Sequence, residues 1–219
     1  MQSPKLQLAL DTTDMPSALR PLGAAIGSID IIECGTVLII AEGLRCVREI
    51  RALYPDKPIL ADVRIAEAGS VIARLCFDAG ASWVSVVAGA SLTTVGQVVT
   101  VAREFGGEVQ IELGETYDAA QAARWRDLGA QQVIVHRSRD AEAAGTLSWG
   151  ADDCDHISEL ASLGFRVTVT GGIKPDALTA LAGAPVGIVV AGRQIVGAHD
   201  PKAAADHMRQ AIDDVWPSR

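Results

Sequence analysis

Lysine is scarce in this chain. Only Lys5, Lys57, Lys174 and Lys202 occur. Lys5 precedes the first apolar run, Lys57 precedes the third, and Lys202 falls in the last helical stretch. Lys174 alone lies just beyond the end of an apolar run, in a turn. Imine-forming aldolases need a lysine inside the site. A covalent imine route is therefore disfavoured, and metal-assisted enolate chemistry is its natural replacement. Basic charge is short overall: 19 Lys and Arg stand against 27 acids, for a net charge of −8. No basic stripe is present to displace counterions from a phosphate backbone, so no nucleic-acid partner is expected. Long apolar runs are missing too. None approaches the ~20 residues needed to span a bilayer, so no membrane partner is expected. The opening "MQSPKLQLALD" is too short in its apolar part for a signal peptide, and an acid follows at once. The four cysteines, Cys34, Cys46, Cys76 and Cys154, show no C-x-x-C spacing. Neither a disulfide framework nor a zinc site is expected, and a reducing cytoplasm is the expected setting.

What is present is an alternation. Short apolar runs rich in Val and Ile alternate with longer amphipathic ones across all 219 residues. The expected strands are Leu6–Leu10, Asp30–Cys34, Ile59–Asp62, Trp83–Val87, Val109–Leu113, Gln132–His136, Arg166–Thr170 and Gly187–Ala191. Their continuous apolar character suits strands buried on both faces. Helices are expected over "EGLRCVREIRALY", "AGSVIARLCFDAG", "YDAAQAARWRDLG" and "PKAAADHMRQAIDDVW". Pro175 and Pro201 stand in helical first turns, where a missing N–H costs nothing. Eight such units predict a (β/α)8 TIM barrel in one domain, residues 1–219. The rival is a doubly wound open sheet, which announces a dinucleotide site by a glycine-rich turn after its first strand. Here that strand ends "LALDTTD", without glycine.

In a barrel the reacting site forms at the C-terminal ends of the strands. The residues there are Asp11, Glu33, Asp62 with Arg64, Glu112, and His136 followed by Arg139. Strand seven ends Thr170-Gly171-Gly172, strand eight Gly192-Arg193, and strand four blandly in "VVAGAS". The N-terminal ends show no matching polar set, so these groups are expected to point into one mouth. Asp62 and Arg64 are two apart and share a face if the chain stays extended. Glu33 and Asp62 offer hard oxygens of the kind that hold Mg2+. The alternative is that the acids are simply ion-paired to Arg64. The glycine turns after strands seven and eight read as a phosphate grip of backbone N–H groups, with the Arg193 fork beside them. Ordinary βα turns are the plainer reading. His136 is either a satisfied core residue or one that works on a substrate, and histidine chemistry near neutrality suits proton transfer.

Longer segments add a family signature. They are "LQLALD", "DIIECGTVLIIAEG", "ALYPDKPILAD", "CFDAGASWVSVV", "GGEVQIEL", "QVIVHRSRDAEAAG", "GFRVTVTGG" and "VVAGRQI". Through them nearly the whole chain resembles the 3-keto-L-gulonate-6-phosphate decarboxylase / 3-hexulose-6-phosphate synthase family of the orotidine-5′-phosphate decarboxylase superfamily. "HRSRDAEAAG" is the most specific, and looks like the decarboxylase branch. The resemblance implies a Mg2+-dependent decarboxylation of a β-keto sugar-acid phosphate through a cis-enediolate, giving a pentulose 5-phosphate. It implies Glu33 and Asp62 as metal ligands, Asp11, Glu112 and Thr170 on the substrate, and His136 with Arg139 arranging the proton. Gly171, Gly172, Gly192 and Arg193 would hold the phosphate. It further implies a homodimer with shared sites, Glu67 reaching into the partner's.

The family motif after strand three is Asp-x-Lys-x-x-Asp, and this chain has Asp62-x-Arg64-x-x-Glu67. Arg64 keeps the charge that stabilises an enediolate, but it cannot release a proton near neutrality. The longer acid and larger cation look compensatory. The leading expectation is a decarboxylase of a phosphorylated β-keto sugar acid. A formaldehyde-type aldolase, or an isomerase or epimerase on the same metal–enediolate site, is the second. A non-catalytic sugar-phosphate sensor is the third.

Overall fold

A computed structural model of the chain describes residues 3–114, 118–136 and 149–217. Eight parallel strands pair in sequence order and close into a barrel. They are β1 Lys5–Leu10, β2 Ile31–Cys34, β3 Ile59–Ile65, β4 Trp83–Val87, β5 Glu108–Glu112, β6 Gln132–His136, β7 Arg166–Thr170 and β8 Val186–Ala191. Closure sets Lys5 to Leu8 of β1 against Ile188 to Ala191 of β8. The expected (β/α)8 barrel is observed, and only β3 departs from its expected span by more than one residue.

The described helices are α1 Met15–Ala25, α2 Thr36–Glu42, α3 Arg45–Leu53, α4 Gly69–Asp78, α5 Leu92–Glu104, α6 Ala119–Leu128, α7 Ala151–Ser162, α8 Arg193–Val196 and α9 Pro201–Val215. A 3-10 turn runs over Pro175–Leu181. Asp14, Ser91, Asp118 and Asp200 each accept the N–H three residues on. That satisfies one of the donors a helix start leaves open. The helix expected over residues 42–54 begins at Arg45 as α3, and a separate short helix, α2, precedes it. Gly43 takes φ +62 and ends α2, and only glycine adopts that conformation without a side-chain penalty.

The core has two parts. Ile32, Ala61, Val84 and Val189 belong to the large cluster between sheet and helices. Their sequence neighbours Ile31, Leu60, Trp83 and Ile188 form a separate buried cluster. Alternation along a strand places that second set inside the barrel. Two residues further on stand Glu33, Asp62, Ser85 and Val190. They share the interior face, one layer nearer the C-terminal rim, so the register that fills the barrel also sets where the acids sit.

The N-terminal rim corrects one expectation, because it does carry a polar set. Glu108 accepts from Gln132 Nε2 and, at 2.8 Å, from Arg166 Nη1. The Arg166 guanidinium lies 5.8 Å from the centre of the Trp83 ring. Above it, Gln110 Nε2 donates to Gln132 Oε1 at 3.2 Å and Thr168 Oγ1 at 3.0 Å. Glu108 and Arg166 open their strands, and parallel pairing brings them together. Trp125 and Trp216 are buried, and Trp216 donates to the Ala184 carbonyl at 3.0 Å. No described helix is long and apolar enough to cross a membrane.

Gly69 begins α4 where it meets α5. A Cβ there would fall 2.7 Å from the Thr94 carbonyl oxygen and 3.0 Å from a Val98 methyl. Gly69→Ala should therefore cost about 1–3 kcal/mol as overpacking, read as a lower urea midpoint with an unchanged slope.

Candidate active site

β3 does not stay extended to its end. Its pairing with β4 slips between Ala61 and Ile65, and Arg64 takes φ +48. Asp62 and Arg64 thus meet through a bulge, not through the straight strand the spacing suggested. A left-handed residue with a side chain costs roughly 1–2 kcal/mol, and such strain gathers at functional sites. Two hydrogen bonds offset it. The Arg64 N–H donates to Ser85 Oγ at 2.8 Å. The Ser85 hydroxyl in turn donates to Asp62 Oδ1 at 2.7 Å. Ala68, which caps α4, is also left-handed at φ +54. Left-handed residues thus bracket the segment carrying Glu67.

The acids and the cation interlock. Asp62 Oδ2 accepts from Thr36 Oγ1 at 2.7 Å and lies 3.4 Å from Arg64 Nε. The same Nε lies 3.0 Å from Glu112 Oε2. That contact is an ion pair without hydrogen-bond alignment, since Glu112 Oε2 is buried with no aligned donor. Glu112 Oε1 sits 2.6 Å from His136 Nδ1. A carboxylate at that distance fixes the proton on Nδ1 and leaves Nε2 as the ring's other working atom. Glu33 is held apart from this chain: Gln7 Nε2 donates to its Oε2 at 2.6 Å. So Arg64 pairs with Asp62 and Glu112, and Glu33 is not part of the ion pair. Asp11 faces the start of α2, whose Val37 N–H points to it at 3.4 Å. Residue 35 must be glycine there, because a Cβ would collide with the Asp11 carboxylate.

Burial, then the negative charge of Asp62, pushes the Glu33 carboxyl well above its ordinary value. Burial works against the Arg64 charge, but Asp62 and Glu112 outweigh it and raise its pKa. The hydrogen bond with Cys46, and then burial, push the Cys34 thiol up. Burial takes Cys76 to about 12. Both are packing residues.

One cavity of about 950 Å³ opens over the C-terminal rim. It is lined by Asp11, Glu33, Asp62, Arg64, Glu112, His136, Thr170, Gly171, Gly172, Gly192 and Arg193. Gly171 and Gly172 take φ +109 and +59, and Gly192 caps the short helix that Arg193 begins. Eleven of the thirteen anticipated site residues therefore meet at one mouth. Glu67 is exposed and does not line it. Arg139 lies outside the described residues. No lysine lines the cavity.

Four residues escaped the sequence reading. Thr36, Ser85 and Gln7 orient the acids, and Gln121, held by a bond to the Ala88 carbonyl, lines the wall. Strand four contributes from its middle, not from its bland end. A lone Ser inside "WVSVV" was the available signal.

The donor set fits a hard divalent cation. Four carboxylates stand in the mouth against the half-exposed Arg64 and the rim Arg193. Glu33 accepts from Gln7 through Oε2, and its carboxylate is repelled by Asp62, Asp11 and Glu112. No group of three or more His, Cys, Asp or Glu suited to a metal occurs among the described residues. Glu33 and Asp62 could supply two oxygens to such an ion, with water or substrate oxygens completing its shell.

Residues 4–208 match the model of the orotidine 5′-phosphate decarboxylase / HUMPS family. The chain belongs to that family. It is 45% identical over 216 residues to 3-keto-L-gulonate-6-phosphate decarboxylase UlaD of Escherichia coli O139:H28, covering 99% of this chain and all of that one. Among solved structures, a ligand complex of KGPDC from Streptococcus mutans superposes with a TM-score of 0.95 at 36% identity, over 98% of this chain and 100% of the other. A 3-hexulose-6-phosphate synthase superposes at 0.88 and 34% identity, over 94% of this chain and 99% of the other. Kinship of this extent with decarboxylases marks the chain as a carboxy-lyase.

Removing the repelled charge should show what Glu33 is for. Glu33→Gln keeps an acceptor for Gln7. Without divalent metal it should raise Tm by about 2–4 °C, the equivalent of ~1 kcal/mol in a chain of this size. A rise in Tm with Mg2+ is expected of the unaltered protein, and the variant should lack it. Thermal melts with and without Mg2+ check both.

Proposed function

We propose that this chain is a Mg2+-dependent decarboxylase of a phosphorylated β-keto sugar acid of the 3-keto-L-gulonate 6-phosphate kind, releasing CO2 and a pentulose 5-phosphate. The observation that carries the reading is the Asp62–Arg64–Glu112–His136 chain beneath a rim of Gly171, Gly172, Gly192 and Arg193. One end of the cavity suits a phosphate and the other suits charge that develops at carbon and passes to oxygen.

The rim N–H groups and the Arg193 fork hold the phosphate. Asp11 and Thr170 take substrate hydroxyls. Glu33 and Asp62 would hold the Mg2+ ion, which would supply Lewis-acid stabilisation of negative charge developing on substrate oxygen. Arg64, already fixed by its two carboxylates, adds a preorganised positive charge where the carboxylate leaves and the enediolate forms. It cannot return the proton. His136 Nε2 is the atom placed for that, with Glu112 holding Nδ1 and supporting the charged ring. Arg139 joins His136 in this reading. Val87, Ala88, Leu113 and Ile134 give the departing CO2 an apolar wall.

The working unit is a homodimer. Ile40 on α2 and Val71 and Leu75 on α4 are 80%, 61% and 55% exposed. Val71 and Leu75 are four apart and share a helix face. These apolar groups follow the strands that carry Glu33 and Asp62, and Val71 stands four residues beyond the exposed Glu67. A second copy would cover them and bring Glu67 to the neighbouring mouth. Leu75→Glu should convert the dimer to monomer by sedimentation velocity and lower turnover in parallel.

The deciding assay is CO2 release from phosphorylated β-keto aldonates. Mg2+-dependent release is expected, with Arg64→Ala lowering kcat on the order of 10²–10³-fold. No release from any such substrate would overturn the reading. Arg64's inability to move a proton favours one alternative, an aldolase or isomerase using Arg64 purely as a charge. Deuterium exchange into a pentulose phosphate without carbon loss would favour that alternative.

A further inference from the structure

Ser85 is the one polar side chain of β4 on the interior face, and it is fully buried. Its hydroxyl has a single proton, which goes to Asp62 Oδ1 at 2.7 Å. Its lone pair takes the Arg64 N–H at 2.8 Å. This N–H points away from a ladder carbonyl because the β3–β4 register slips here. One hydroxyl thus joins the side chain of an acid to the backbone of the residue two places on. That junction is where the left-handed turn at Arg64 occurs. Without it the Arg64 N–H would lose its acceptor, and the residue's own sterics favour a return to φ < 0. An extended Arg64 would resume pairing with β4, and its guanidinium would swing off the Glu112 carboxylate that it now meets at 3.0 Å.

We propose that Ser85 is a positioning residue for the reaction: it holds Arg64 in the left-handed conformation that aims the guanidinium between Asp62 and Glu112, and it acts on turnover through Arg64. The inference rests on the proposed decarboxylase reading for its kinetic arm only. Ser85 touches no cavity surface, so its effect belongs to geometry and not to substrate contact. Thr36 already supplies Asp62 with a second hydroxyl at 2.7 Å, so loss of Ser85 leaves the acid oriented and releases chiefly the cation.

The test combines structure and kinetics. Ser85→Ala removes the hydroxyl. Ser85→Cys keeps the volume with a poor donor and acceptor, and serves if the alanine variant folds badly. Ser85→Thr keeps the hydroxyl. Crystal structures of the Ala or Cys variant should show Arg64 at negative φ and its Nε no longer in contact with Glu112. The kcat for CO2 release should fall on the order of 10²-fold, the scale of an ångström-level misplacement, with KM little changed. Ser85→Thr should stay within about threefold of the unaltered enzyme. In an Arg64→Ala background, Ser85→Ala should change kcat less than about twofold, because residues acting as one unit do not add. The proposal is overturned if Arg64 keeps its left-handed turn in the variants, or if the full loss recurs in the Arg64→Ala background. If no form of the protein releases CO2, the decarboxylase reading fails. The crystal structures still decide whether Ser85 holds Arg64.

Discussion

A guanidinium set among four carboxylates is the constraint on which this mouth depends. Asp11, Glu33, Asp62 and Glu112 all line one cavity, and the last three are buried, where water screens charge poorly. Arg64 answers two of them, Asp62 and Glu112. Glu33 is left with Gln7 and a raised pKa. That imbalance is costly for the protein alone and suited to a divalent cation. The other parts of the site serve the same arrangement. Thr36 and Ser85 fix Asp62, His136 fixes Glu112, and Gly35 makes room for Asp11.

The barrel's period places these groups. Ile31, Leu60, Trp83 and Ile188 fill the interior. The next inward position on the first three strands is Glu33, Asp62 or Ser85. A change of register by one residue would send the acids into the apolar layer between sheet and helices. The polar knot of Glu108, Arg166 and Gln132 under Trp83 fastens β4 to β7 at the far end. The sheet is thus fastened below while it presents charge above.

Much of this was legible in the chain itself. Apolar runs of strand length alternating with amphipathic stretches announced the barrel. Polar residues at the ends of those runs announced the mouth, because strand termini and the cavity coincide in this fold. What was not legible depended on backbone conformation or on pairing across strands. Arg64 is two residues from Asp62 and looked like its neighbour on a straight strand, and nothing in "ADVRIAEAG" marks a left-handed turn at an arginine. Ser85 sits in the middle of an apolar strand, where a small hydroxyl reads as filler. Glu108 and Arg166 are 58 positions apart in sequence and meet only through the parallel register of β5 to β7.

The turn at Arg64 also bears on which residues that position can hold. A left-handed backbone excludes side chains branched at Cβ far more strongly than unbranched ones. Valine, isoleucine and threonine are penalised there by the main chain before any chemistry is considered. Arginine and lysine share a linear stem, so either can take the conformation at similar cost. The main chain therefore sorts candidates for position 64 by shape, and exchange between the two cations is a substitution it lets pass.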